Sequence, residues 1–198
     1  AIAIKPEGYI YLNRGQRRPK SEVAARRADF DEAVRLDPDL KEAWAAKADL
    51  ELEQGDVKAA TDSYSKAIAK FPDSVDLLAG RGLAHDKAGE GALAEKDFAD
   101  ARAKASEPVL LNNLCWKKAT AGRALESALR DCDAALKVMV DFPPYLDSRA
   151  LVLLQRGRLD EAIGDYDKVL KQEGAIASSL YGRALARSRK GDAVKAAE

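Results

Sequence analysis

The chain has 198 residues, of which 33% are charged, and its 33 basic residues balance its 33 acidic ones. Because neither charge is in excess, composition does not favour binding to nucleic acid or anionic lipid. No segment approaches the run of about 18 apolar residues that a membrane-crossing helix needs, so we predict no membrane span.

Residues 41–74 form the clearest pattern, which is typical of two short amphipathic helices joined by a turn. Trp44 and Ala48 recur at helical spacing in the first helix, and Gly55 interrupts the pattern. Tyr64 lies on the apolar face of the second helix, which a proline ends. The stretch therefore predicts a helical hairpin.

The same pattern recurs along the chain at a step of 34 residues. What we call the aromatic position of each second helix is occupied by Phe30, Tyr64, Phe98, Cys132 and Tyr166. What we call the small position of each first helix keeps the step to within one residue, at Gly15, Ala48, Gly82, Cys115, Ala150 and Ala184. The turns between the two helices fall at Gly55, Gly89, Gly122, Gly157 and Gly191.

This period and this order of residue types resemble the tetratricopeptide repeat. The resemblance implies an all-α fold, a right-handed α-α superhelix (solenoid) of antiparallel helical hairpins, over residues 1–198 as a single domain. We expect about five complete repeats, at 8–38, 41–74, 75–107, 108–142 and 143–176, with partial repeats at 1–6 and 177–198.

Both partial repeats look interrupted. Residues 1–6 match the tail of a second helix, and residues 195–198 match the beginning of one. We therefore interpret the sequence as a fragment of a longer protein, and it does not specify a cellular compartment.

The first repeat departs most from the pattern, because Pro19 lies where its first helix would continue and should end that helix early. Basic residues gather around it, at Arg14, Arg17, Arg18, Lys20, Arg26 and Arg27. Such a cluster could contact nucleic acid. No aromatic residue lies among them to stack on bases, so a nucleic-acid partner is disfavoured.

Catalytic chemistry is not apparent in the sequence. His85, the single histidine, falls at a position that packs between helices and has no visible partner for catalysis or metal binding. No Gly-rich phosphate loop, zinc-type spacing or nucleophile with a nearby base is present. We therefore predict a protein that is not an enzyme and has no cofactor and no metal site.

Charged residues recur beside both positions of the repeat. A cation precedes the small position at Arg14, Lys47, Arg81, Arg149 and Arg183, and an aspartate precedes the aromatic position at Asp29, Asp97, Asp131 and Asp165. Spacings of 16 and 18 residues allow ion pairs within a repeat, such as Arg149 with Asp165, or between repeats, such as Arg149 with Asp131. We expect these pairs to fix the register of the helices.

The two cysteines occupy the small and aromatic positions of the same hairpin. Cys115 and Cys132 should therefore be neighbours across two antiparallel helices. A disulfide would form in an oxidising compartment, and two buried thiols would remain in a reducing one. The sequence leaves both alternatives open.

A candidate partner-binding face follows from the first-helix positions opposite the core. In repeats four to six these positions are Asn112, Asn113, Trp116, Thr120, Asp147, Leu151, Leu154, Tyr181 and Leu185. In earlier repeats the same positions are acidic, at Glu42, Asp49, Glu53, Asp76 and Asp86. We expect a peptide with apolar side chains and a basic end, centred on Asn113 and Trp116.

The resemblance implies a protein-interaction scaffold that binds a peptide or partner protein in a concave groove lined by first helices. One alternative is a structural spacer that packs against other parts of its own polypeptide. A third is nucleic-acid contact through the basic first repeat. Self-association is left open.

Overall fold

The computed structural model describes residues 6–192, and within this range it consists of eleven α-helices and no β-strand. The helices are α1 (Pro6–Arg17), α2 (Val23–Leu36), α3 (Lys41–Glu53), α4 (Val57–Lys70), α5 (Val75–Ala88), α6 (Gly91–Lys104), α7 (Pro108–Ala121), α8 (Leu125–Val138), α9 (Pro143–Gln155), α10 (Leu159–Glu173) and α11 (Ala177–Lys190). The helix tail predicted over 1–6 falls outside the described residues except for Pro6, which begins α1. The helix start predicted over 195–198 lies wholly outside them.

The chain divides into two compact units, Ala1–Ala101 and Arg102–Glu198. In the first unit α1 packs on α2 and α3 on α4, and in the second α7 packs on α8 and α9 on α10. First helices also contact each other, α1 with α3 and α3 with α5, then α7 with α9 and α9 with α11. This arrangement confirms the predicted all-α fold of repeated helical hairpins.

The glycines predicted to separate the helices of each hairpin all lie in turns. Their φ angles are positive, from 63° at Gly122 to 92° at Gly191, a conformation in which other residues are strained. At Gly89 the helix ends in the usual hydrogen-bonded cap, with the Glu90 amide donating to the His85 carbonyl at 2.9 Å. The first hairpin instead ends α1 at Arg17, two residues before Pro19, as predicted.

Phenylalanines at the aromatic position lie against the glycine at the small position of their own hairpin. A Cβ atom added to Gly15 would lie 2.6 Å from the Phe30 ring, and one added to Gly82 would lie 2.5 Å from the Phe98 ring. No side chain fits in that space. Glycine therefore lets the two helices approach to the thickness of one ring.

Tyrosines at the same position use a glycine in the next repeat instead. A Cβ atom added to Gly80 would lie 2.4 Å from the Tyr64 ring, and one added to Gly182 would lie 2.4 Å from the Tyr166 ring. The Tyr64 hydroxyl donates to the Asp49 carboxylate. Burial, together with Asp49, raises the pKa of Tyr64 well above its ordinary value of 10.0.

The cations before the small position connect neighbouring hairpins. Arg149 donates from Nε to Asp165 in its own repeat at 2.7 Å and from Nη1 to Asp133 in the preceding repeat at 3.1 Å. Arg81 likewise bonds Asp97 at 2.8 Å and the Ser65 hydroxyl at 3.3 Å. Pairing therefore occurs both within and between repeats. The between-repeat partner of Arg149 is Asp133, two residues beyond the aspartate that the sequence suggested.

Substitution of Gly80 or Gly182 by alanine should lower the free energy of unfolding by about 1 to 3 kcal/mol, because the new methyl overlaps a buried tyrosine ring. Chemical denaturation measures the change. Gly164→Ala is the matched control: Gly164 lies within α10, and nothing would lie within 4 Å of its added Cβ. The control should stabilise by up to about 1 kcal/mol through helix propensity. Equal effects at the three positions would contradict this packing account.

The first unit should lose stability at acid pH through Asp29. Its buried carboxylate accepts hydrogen bonds from Arg14 at 3.0 Å and Arg18 at 2.7 Å, and these, Arg14 foremost, lower its pKa below the ordinary value of 3.8. A lowered folded-state pKa adds stability that is present above 3.8 and is lost as pH falls through the lower value.

Unfolding free energy measured from about pH 5 to pH 2 should therefore fall less steeply in Asp29→Asn than in the wild type. Asp62→Asn, which removes an exposed carboxylate from the same unit, is the control and should retain the wild-type slope. A wild-type slope in Asp29→Asn would show that the pair contributes nothing.

Candidate functional site

The first helices of the second unit form one continuous layer. The Gln155 amide of α9 donates to the Ala119 carbonyl of α7 at 2.9 Å. The Ser179 hydroxyl of α11 donates to the Asp147 carboxylate of α9. Since α7 contacts α9 and α9 contacts α11, the residues of these three helices that face away from the core share one surface.

Helical periodicity decides which side chains of α7 reach this surface. Leu114, Cys115 and Ala119 are buried, and they form the inner side of the helix. Asn113 is exposed and the Trp116 side chain is 45% exposed. Trp116 is the one aromatic residue of α7, so it adds the largest apolar side chain of this helix to the surface.

The other two predicted residues of α7 are less available. Asn112 is partly buried, and its Oδ1 atom has no hydrogen-bond partner in the described part of the chain. The Thr120 hydroxyl donates to the Trp116 carbonyl of its own helix at 2.9 Å. Of the four residues of α7 that we predicted to bind a partner, Asn113 and Trp116 are therefore the most available.

The predicted residues of α9 and α11 also differ in exposure. Leu151 and Leu185 are partly buried against the core of the second unit. Leu154 is buried, with 3% of its surface exposed, so it lies beneath the surface rather than on it. Tyr181 is 72% exposed. We define the second-unit face by five of the predicted residues, Asn113, Trp116, Leu151, Tyr181 and Leu185.

A disulfide lies directly beneath this face. Cys115 and Cys132 are bonded to each other, with 5.4 Å between their Cα atoms, and both are fully buried. The predicted proximity is confirmed, and of the two alternatives the structure has the bond. It joins α7 to α8 at the small and aromatic positions, where the other hairpins have a ring.

A buried charged cluster next to the disulfide was not found in the sequence. Lys118 and Asp131 are both 0% exposed, and Nζ of Lys118 lies 2.5 Å from the Asp131 carboxylate and 2.8 Å from the Ser127 hydroxyl. Arg102, at the end of α6, donates to the same carboxylate from Nε at 2.7 Å. Leu114 occupies the position before the small residue. In this repeat the cation is absent from the sequence pattern while Asp131 is retained. That mismatch was the signal that another cation pairs with Asp131.

Replacing Lys118 with alanine should lower the free energy of unfolding by about 3 kcal/mol, because a buried carboxylate then loses a buried cation. Lys137→Ala, at an exposed position of α8, is the control and should change stability by less than about 0.5 kcal/mol. Chemical denaturation of the two variants measures their free energies of unfolding. Comparable small effects would mean that Arg102 alone satisfies Asp131.

In the first unit, four of the five predicted acidic residues meet around one cavity of about 460 Å³, namely Glu42, Asp49, Glu53 and Asp76. Asp86 is not among its lining residues. These carboxylates already have neighbours: Asp49 accepts the Tyr64 hydroxyl, and Glu53 lies 3.5 Å from Arg26. The cavity is therefore only moderately acidic, since Arg26 and Lys41 also line it.

Much of the basic cluster in the first repeat has a structural role. Arg14 and Arg18 both bind the buried Asp29. Arg26 lies over the Phe30 ring, 5.8 Å from its centroid. These contacts occupy three of the six cations that suggested nucleic-acid binding, so the remaining positive surface is smaller than the sequence implies.

His85 is partly buried, as predicted, with Nδ1 2.6 Å from Glu90 and Nε2 3.8 Å from Asp97. Across residues 6–192, no group of histidine, cysteine or acidic side chains is arranged to hold a metal ion. Every helix in that range is too short or too polar to cross a membrane.

A family model described as "Tetratricopeptide repeat" matches residues 24–74, 45–108 and 148–198. No curated protein matches the chain. Among solved structures, the chain is similar to TTC0263, a thermophilic protein of this type from Thermus thermophilus, with 22% identity and a TM-score of 0.66. The match covers 90% of this chain and 98% of that one.

Two further structures share the fold. Yeast Tom70 is 17% identical with a TM-score of 0.69, over 96% of this chain and 41% of that one. PilW, described as a type IV pilus biogenesis factor, is 19% identical with a TM-score of 0.62, over 96% and 89% of the two chains. At these identities the likeness shows the fold alone.

Proposed function

Because the chain belongs to the tetratricopeptide repeat family, whose fold supports protein-interaction scaffolds in general, we propose that it binds a partner protein or peptide on the second-unit face. First helices of stacked hairpins provide a broad, rigid surface for such binding. Catalysis forms no part of the proposal, since the family consists mainly of non-catalytic scaffolds.

The observation that carries the proposal is the exposure of two large aromatic residues on one layer of helices. Trp116 is 45% exposed and Tyr181 is 72% exposed, on α7 and α11, with α9 between them. Tryptophan and tyrosine contribute more binding energy at protein interfaces than most other residues. Leu151 on α9 and Leu185 on α11 are partly buried and add apolar side chains to the same layer of helices.

The chemistry of this face favours an extended peptide with apolar side chains. The Asn113 amide can both donate to and accept from a peptide backbone. Trp116 beside it offers a flat apolar surface for a side chain. In the first unit, the carboxylates around the cavity favour basic side chains in any partner segment that reaches them.

The spacer alternative makes a different prediction for the same surface. If the chain only packs against the rest of its own polypeptide, Trp116 and Tyr181 are covered in the full protein and no separate partner binds. An affinity purification with this chain alone distinguishes the two, since a spacer returns no specific partner. Binding of nucleic acid is disfavoured because Arg14 and Arg18 are bound to Asp29.

Trp116→Ala and Asn113→Ala should each weaken binding of the purified partner by about 2 kcal/mol, or about 30-fold in Kd. Isothermal titration calorimetry measures the affinity. Both residues are exposed, so the melting curves should remain close to that of the wild type.

Tyr9→Ala is the control, because Tyr9 is an aromatic residue that is 56% exposed in the other unit. It should leave the affinity unchanged. Wild-type affinity in both the Trp116 and Asn113 variants would remove the second-unit face from consideration. An equal loss in Tyr9→Ala would show that exposed aromatics contribute without regard to position.

A further inference from the structure

The hairpin of α7 and α8 is the one described hairpin that has no ring at the aromatic position. Phe30, Tyr64, Phe98 and Tyr166 occupy that position in the others. Each of these rings fills the space between neighbouring helices, as its contact with a glycine shows. In α7 and α8 the side chains at these two positions are Cys115 and Cys132, which are far smaller than a ring.

The covalent bond therefore replaces the packing that a ring supplies elsewhere. Cys115 and Cys132 lie in a buried cluster to which α7 also contributes Ala119 and α8 contributes Ala128 and Leu129. When the bond is broken, two thiols remain at the point where the other hairpins have a ring, so the contact area there is smaller than in the other hairpins.

The polar contact between these helices depends on the same closed arrangement. Lys118 of α7 and Asp131 of α8 form a fully buried ion pair, with Ser127 beside them. Buried charges stabilise only while their geometry is retained, because a displaced partner leaves the other charge without compensation. Small movements of α7 relative to α8 therefore weaken this pair as well.

The second-unit face is directly connected to this hairpin. Asn113 lies two residues before Cys115, and Trp116 follows it on the same helix α7. Any rotation or fraying of α7 moves both side chains relative to Leu151 on α9. The cysteine bond thus determines how well α7 presents its part of the face.

We propose that the Cys115–Cys132 disulfide is a redox latch, whose reduction frees α7 from α8 and weakens partner binding at the second-unit face. The binding part of this inference rests on the proposed function. The release of α7 from α8 does not, and it can be measured without a partner.

The chemistry is thiol–disulfide exchange with a dithiol reductant. A thiolate of the reductant attacks one cysteine sulfur, forms a mixed disulfide with it and releases the other cysteine. The second thiol of the reductant then attacks the mixed disulfide and releases the first cysteine. Two electrons and two protons reach the protein, giving two thiols, while the reductant becomes a cyclic disulfide. Both sulfurs are buried, so exchange requires transient opening of the hairpin.

Hydrogen exchange of the full chain tests the latch directly. The oxidised chain is compared with chain treated with dithiothreitol until a thiol assay counts two free groups. Amides of α7 and α8 should exchange at least about tenfold faster after reduction. Amides of α3 and α4 should not change, since the first unit contains no cysteine.

A matched variant separates the bond from other effects of the reductant. Cys115→Gly with Cys132→Phe copies the pairs Gly15–Phe30 and Gly82–Phe98 of the other hairpins. If this variant does not fold, Cys115→Ala with Cys132→Tyr and Ser148→Gly copies the set Ala48, Tyr64 and Gly80. In either variant, dithiothreitol should leave exchange of α7 and α8 unchanged.

The outcomes are distinct. Equal exchange in the oxidised and reduced chain, or equal acceleration in both units, would overturn the latch. A response of the ring-containing variant to dithiothreitol would overturn it too. If the latch holds, reduction should also raise the Kd for the purified partner at least about tenfold. If reduction accelerates exchange of α7 and α8 but Trp116→Ala leaves the affinity unchanged, the proposed face is refuted. The release of α7 from α8 is then still supported.

Discussion

Close approach of neighbouring helices at the aromatic position is the constraint on which every hairpin with a ring there depends. A ring can fill that space only where the facing residue has no side chain. Phe30 meets this need with Gly15 in its own hairpin, and Tyr64 meets it with Gly80 in the next one. Ring and glycine must therefore match, so the choice between phenylalanine and tyrosine determines where the glycine lies.

Charged pairs specify which helices are joined, in addition to this apolar contact. Arg149 binds one aspartate in its own hairpin and another in the preceding hairpin, so it specifies how successive hairpins stack. The Arg81 side chain has the same two directions, with a serine in place of the second aspartate. Polar contacts of this kind exclude other registers that the alanine-rich helices would also allow.

The α7–α8 hairpin departs from both rules at once. A disulfide stands in place of the ring, and the Lys118–Asp131 pair stands in place of the partly buried arginine found at Arg81 and Arg149. The same hairpin displays Trp116 at the position after the small residue, where the other first helices have Gln16, Asp49, Leu83, Leu151 and Leu185. Loss of the common packing and gain of a distinctive surface therefore coincide in one repeat, which favours a specific role for it.

Residues that favour one particular backbone conformation made the fold predictable from the sequence. Turn glycines such as Gly122 and the proline that ends α1 mark helix ends, and the 34-residue step marks the hairpins. Side-chain burial was harder to predict. Lys118 reads as a surface residue in the sequence but is buried because Asp131 needs a cation, and Leu154 lies deeper than helical spacing suggests. Spacing placed Cys115 beside Cys132, but it could not decide between a bond and two thiols, because that depends on the redox environment.

Hydrogen exchange of the oxidised chain, with and without the purified partner, tests most directly whether the partner binds at the second-unit face on α7, α9 and α11. Exchange should become slower in α7, α9 and α11 and should not change in α8 and α10. Protection confined to α8 and α10, or to the exposed apolar residues Val138 and Val140, would contradict binding at the second-unit face.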